Sequence, residues 1–78
     1  MSRILNTINK GQGTKIEIVT ESTGDYYNTV VAEISWDGSK SNRHVLYKER
    51  IETTNLNIAL KKHNEVVSNY RWLRFINQ

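Results

Sequence analysis

Cysteine and proline are both absent from this sequence, glycine occurs only four times and phenylalanine once. Without cysteine there is no disulfide framework and no thiolate zinc site. A chain of 78 residues lies close to the lower limit for a self-sufficient core, so packing and hydrogen bonds must hold the fold unaided. The same absence suits a reducing, cytoplasmic setting. Long apolar runs are missing as well. Stretches such as Val30-Val31-Ala32 fall far short of the roughly eighteen residues a membrane-crossing helix needs. Met1-Ser2-Arg3-Ile4-Leu5 lacks the apolar segment and cleavage site of a secretory signal. Nor is there a block of one charge sign: 11 Lys and Arg oppose 8 Asp and Glu, interspersed, for a net charge of +3. That balance excludes a DNA mimic, which needs an acidic surface, and permits phosphate contacts without requiring them.

Alanine is scarce, confined to Ala32 and Ala59, while Asn, Ile, Thr and Lys are plentiful. This is the composition of an AT-rich coding sequence, of the kind many phage genomes carry. No repeat, low-complexity tract or linker divides the chain, and one domain, residues 1–78, is expected.

Residues 2–9 have Ile4, Leu5 and Ile8 at helical spacing behind Ser2 as a candidate N-cap. They read as a short helix, loosely attached through a Gly11-Gln12-Gly13 hinge. Thr14 to Glu21 alternates, with Ile16 and Ile18 opposite Lys15 and Glu17, as a half-buried strand does. Ser22-Thr23-Gly24-Asp25 supplies a turn into a second strand, Tyr27 to Trp36, on which Val30, Ala32, Ile34 and Trp36 share a face. The two strands should pair as a hairpin. Asp37-Gly38 marks another turn, extended through Asn42, before a third strand over Arg43 to Ile51. There Val45, Tyr47 and Ile51 compete with Leu46 for the core, and a bulge accommodates both sets.

Leu56, Ala59, Leu60, His63 and Val67 align along one side of a helix over 54–68, capped by Thr53 or Thr54 and ended by Asn69. Tyr70 to Ile76, dense in aromatic and branched residues, reads as a last strand. The expected fold is therefore a small single-domain α+β protein. It has a short N-terminal helix, a three-stranded antiparallel sheet, one main helix packed on one face, and a C-terminal strand. The helix covers Ile16, Ile18, Val30 and Ile34, and the opposite, open face carries Lys15, Glu17, Thr29, Val31, Glu33 and Ser35. The order helix, three strands, helix is also that of the double-stranded-RNA-binding domain. However, Glu52-Thr53-Thr54-Asn55 stands where that family has a lysine-rich phosphate clamp, and no membership follows.

Chemistry has few footholds. His44 and His63 are the candidate general bases, but His63 lies on the apolar stripe, where a hydrogen-bonded structural histidine is the default, and His44 sits on a strand surface. No histidine or carboxylate pair has a metal-ligand spacing such as H-x-x-x-H or D-x-D, so no metal and no cofactor is expected. Gly11-Gln12-Gly13-Thr14-Lys15 lacks the phosphate-loop spacing and precedes a strand. What remains is cations interleaved with aromatics. Arg43, Tyr47, Lys48 and Arg50, with Arg71, Trp72 and Arg74, could present rings and charges to a partner protein or to a nucleic acid.

The function these features favour is non-enzymatic binding of a macromolecule. The model case is a phage or mobile-element regulator or inhibitor acting on a host protein or nucleoprotein complex, such as a defence nuclease. Tyr26, Tyr27, Tyr70 and Trp72 are taken as exposed aromatics for that contact. Direct binding of RNA or DNA through phosphate contacts is the first alternative, and a toxin-type ribonuclease using His44 the second. An unblunted edge strand also leaves room for a homodimer.

Overall fold

In a computed structural model that describes residues 3–11 and 13–76, with side chains as far as Arg71, a four-stranded sheet carries one C-terminal helix. The strands are β1 (Arg3–Gly11), β2 (Thr14–Ser22), β3 (Tyr27–Asp37) and β4 (Lys40–Ile51), and the helix is α1 (Leu56–Ile76). The sheet is a simple antiparallel meander in chain order, β1-β2-β3-β4. The β2/β3 hairpin and the Asp37-Gly38 turn stand where expected. Gly38, at φ 65, takes the left-handed conformation that lets Asp37 pair directly with Lys40. β4 therefore starts at Lys40, with no loop to Asn42. The anticipated bulge is present at Leu46, because Val31 pairs with Tyr47 and Ala32 with Val45.

The N-terminal helix and the C-terminal strand are both corrected. Residues 3–11 form β1, an edge strand pairing along its length with β2. Its inward positions are Ile4, Asn6 and Ile8, a period of two that the polar Asn6 disguises as helical spacing. Gly11 and Gly13, at φ 82 and 75, form the tight turn of a hairpin and not a hinge. At the other end Asn69 does not stop α1, which runs on through Ile76. Tyr70 continues the inward stripe of Ala59, His63, Val66 and Val67, and that tertiary contact overrides the strand propensity of the segment. The N-cap is neither Thr53 nor Thr54 but Asn55, whose Oδ1 accepts the amides of Asn57 at 2.8 Å and Ile58 at 3.3 Å. Leu56 and Leu60, expected inside, remain 45% and 39% exposed on the margin of the stripe.

α1 lies over β1 and β2. The core between the layers is Ile8, Ile16, Ile18, Val31, Val66 and Val67, with Tyr70 packed against it. Through its centre runs a chain of hydrogen bonds that joins three strands to the helix. Thr29 Oγ1 lies 2.8 Å from Thr20 Oγ1, Thr20 Oγ1 lies 2.7 Å from His63 Nδ1, and His63 Nε2 lies 2.7 Å from Asn6 Oδ1. The Asn6 carbonyl oxygen can only accept, so Nε2–H donates to it. Burial disfavours the charged ring, and in the neutral ring Nδ1 accepts from the Thr20 hydroxyl, which accepts in turn from Thr29. His63 is thus a neutral imidazole with both nitrogens satisfied, and it is fully buried.

This network fixes the phase of β3. Thr20 pairs with Thr29 and Ile18 with Val31, so Thr29 and Val31 face the helix while Val30, Ala32 and Ile34 face away. The expectation that Val30 and Ile34 line the core, with Thr29, Val31, Glu33 and Ser35 outside, is inverted by one residue. Glu33 lies on the helix side and meets Lys10 at 3.0 Å. A threonine is as good a core residue as valine once its hydroxyl is bonded, so β3, apolar on both faces, gives no local sign of which side is buried.

A substitution pair tests the phase. Val31→Lys buries a charge with no partner and should abolish folding, whereas Val45→Lys on the other face should shift stability by only about 0.5 kcal/mol, as read by urea denaturation. Burial pushes the His63 pKa below the usual 6.5. The unfolded chain therefore binds this proton at a higher pH than the folded one does. Stability is full above about pH 6.5 and falls as pH drops through the window between that value and the lowered folded one, then levels off for this group. His63→Gln should flatten the dependence across that window in denaturant titrations. His63→Ala, which also orphans Thr20 and Asn6, should cost about 3 kcal/mol.

Candidate functional site

Among the described residues, no element covers the face of the sheet opposite α1. The strand registers arrange its side chains in rows. Arg3, Glu21, Asn28 and Arg50 form the first, Leu5, Val19, Val30 and Lys48 the second, Thr7, Glu17, Ala32 and Val45 the third, and Asn9, Lys15, Ile34 and Arg43 the fourth. Trp36 and Ser41 close the series. An apolar band thus runs obliquely from Leu5 on one edge strand through Val19, Val30, Ala32 and Ile34 to Val45 and Trp36. Val19 and Ala32 are shielded by their neighbours, but Leu5, Trp36 and Val45 are 51%, 48% and 46% exposed. Large side chains left half in water on one contiguous face of a small protein mark a contact surface more often than chance placement.

Charges rim this band unevenly. Arg3 meets Glu21 at 3.8 Å, Lys15 meets Glu17 at 3.5 Å, and Arg50 pairs with Glu52. The Lys15 ammonium also sits 5.1 Å from the centre of the Trp36 ring, and the Arg50 guanidinium 3.8 Å from that of Tyr26, so both aromatics carry a cation on one face. Arg43 and Lys48, on either side of Val45, have no acidic partner within ion-pair distance among the described residues.

The residues singled out from the sequence are only partly brought together. Arg43, Lys48 and Arg50 share the open face. Tyr47 points to the other side of β4, into a groove of about 320 Å³ beside Lys62, Glu65 and Tyr70 on α1. Hydrogen bonding to the neighbouring Glu49 carboxylate, aided by partial burial, pushes its phenol above the usual 10. Glu49 also lies 3.7 Å from Lys62. Arg71 is exposed on α1, remote in the chain from β4, and Trp72 and Arg74 belong to the same helix with side chains outside the described residues. Of the aromatics expected to be exposed, Tyr27 is buried, at 4% exposure, and Tyr26 and Tyr70 are half-buried.

Leu5, Trp36 and Val45, the most exposed apolar members of the face, were not singled out. The signal for Trp36 is the alternation Val30-Ala32-Ile34-Trp36, which identifies a shared face correctly but does not say whether that face meets the helix or a partner. His44 pairs across from Glu33 and is exposed. No group of three His, Asp or Glu side chains that could hold a metal ion occurs among the described residues. No helix there is long and apolar enough to cross a membrane. Comparisons with protein-family models, with curated proteins and with solved structures give no significant match.

Proposed function

We propose that this protein is a non-catalytic binding module whose uncovered sheet face docks onto a partner protein. The observation that carries this reading is the outward apolar row of β3 and β4. Val30, Ala32, Ile34, Trp36 and Val45 occupy the face that α1 leaves bare. A fold that places valine and isoleucine outward while burying threonine and histidine has kept apolar surface available, and such surface is stabilised when a partner removes it from water. Trp36 is the natural anchor, since tryptophan is enriched among the residues that dominate binding energy. Occupying a target's surface in this way is how a regulator or inhibitor of the phage or mobile-element kind would act.

Direct nucleic-acid binding has less support. Strands that bind single-stranded nucleic acid present several rings for stacking in a uniformly basic groove. Here the centre of the face is aliphatic, Trp36 already has Lys15 over it, and Glu17 and Glu21 lie among the cations.

The test is affinity purification from native cells with quantitative mass spectrometry, comparing the wild-type chain with a W36S/V45K double variant. A protein enriched by the wild type and lost from the folded variant is the expected result. Identical partners from both baits would overturn the assignment of the face.

A further inference from the structure

The rim of the open face carries information about what sits on it. Five ion pairs occur among the described residues: Arg3 with Glu21, Lys10 with Glu33, Lys15 with Glu17, Arg50 with Glu52 and Lys62 with Glu49. On the open face every cation has a carboxylate beside it except two. Those two, Arg43 and Lys48, end the rows of Ile34 and of Leu5, Val19 and Val30, and they bracket the exposed Val45 on the same strand. Elsewhere on the face the chain neutralises its own charge, so the β1–β2 half is balanced while the β4 half is positive.

Resting on the reading of this face as a protein-docking surface, we infer that its occupant is an acidic protein surface. An apolar ridge of that surface fills the band between Trp36 and Val45, and its carboxylates seat against Arg43 and Lys48. Complementary charge at the edge of an apolar contact speeds encounter, fixes orientation and rejects partners of the wrong sign. A second copy of this chain fits poorly in the arrangement that stacks β4 on β4, because Arg43 and Lys48 would then meet their own equivalents. The aliphatic centre offers a nucleic acid no stacking platform.

The probe is a displayed library of random peptides selected against the intact protein, with fluorescence anisotropy for the winners. Selected peptides should combine apolar residues with Asp and Glu in excess of the input library, and should lose binding to W36S/V45K. They should weaken about tenfold or more against R43E/K48E and recover against R43K, with affinity falling as salt rises. Peptides that require Trp36 and Val45 but carry no acidic excess and ignore R43E/K48E would overturn the acidic partner while leaving the docking face intact. Peptides indifferent to W36S/V45K, or no peptides at all, would overturn the face itself. A fluorescein-labelled oligothymidylate that binds the wild type and not R43E/K48E would overturn both in favour of phosphate recognition.

Discussion

The buried chain of hydrogen bonds from Thr29 through Thr20 and His63 to Asn6 is the constraint on which the rest of this structure depends. It ties β3, β2 and β1 to the one helix through a buried imidazole that burial keeps neutral, presenting one donor and one acceptor. A half-satisfied version would leave polar groups stranded in a small core, at a cost large against the few kcal/mol of net stability such a domain has. The arrangement is therefore all or nothing. Because the threonines must face the helix, alternation sends Val19, Val30, Ala32 and Ile34 to the other side of the sheet. The open apolar face and the buried polar network are two consequences of one register.

That linkage explains which parts of the fold were legible in the sequence. The β2/β3 hairpin, the Asp37-Gly38 turn, the bulge in β4 and the stripe of Ala59, His63 and Val67 follow from local chemistry, and each could be read from the residues themselves. The phase of β3 could not, since its valines outside and threonines inside reverse the usual sorting. It becomes intelligible only when Thr20, Thr29 and His63 are seen to satisfy one another across 43 residues of chain. β1 failed for a related reason, because its inward Asn6 serves His63 and breaks the apolar alternation. Tyr70 to Ile76 reads as a strand from composition, whereas Tyr70 packs against the core as the next inward position of α1 and the helix continues through the segment.

The candidate site was legible in its charges but not in its geometry. Lys48 and Arg50 alternate along β4 and so share one face, while Arg43, five residues before Lys48, reaches that face only because the bulge at Leu46 shifts the alternation by one residue. Tyr47, between them in sequence, necessarily points the other way, and Arg71, Trp72 and Arg74 follow the helix. An outward apolar face is ordinarily a liability in a small domain. Here the bulge at Leu46 and the lysines at Lys40 and Lys48 blunt the β4 edge, so strand-to-strand association is discouraged while the face remains free.

The most direct test of this account is solvent accessibility read one side chain at a time. Methyl and indole NMR signals should be recorded with and without a soluble gadolinium chelate. Strong broadening is expected for the Leu5 and Val45 methyls and the Trp36 indole, with the Ile18 and Val31 methyls and the His63 ring protected. Protected Val45 and Trp36 signals alongside broadened Val31 and His63 signals would contradict it.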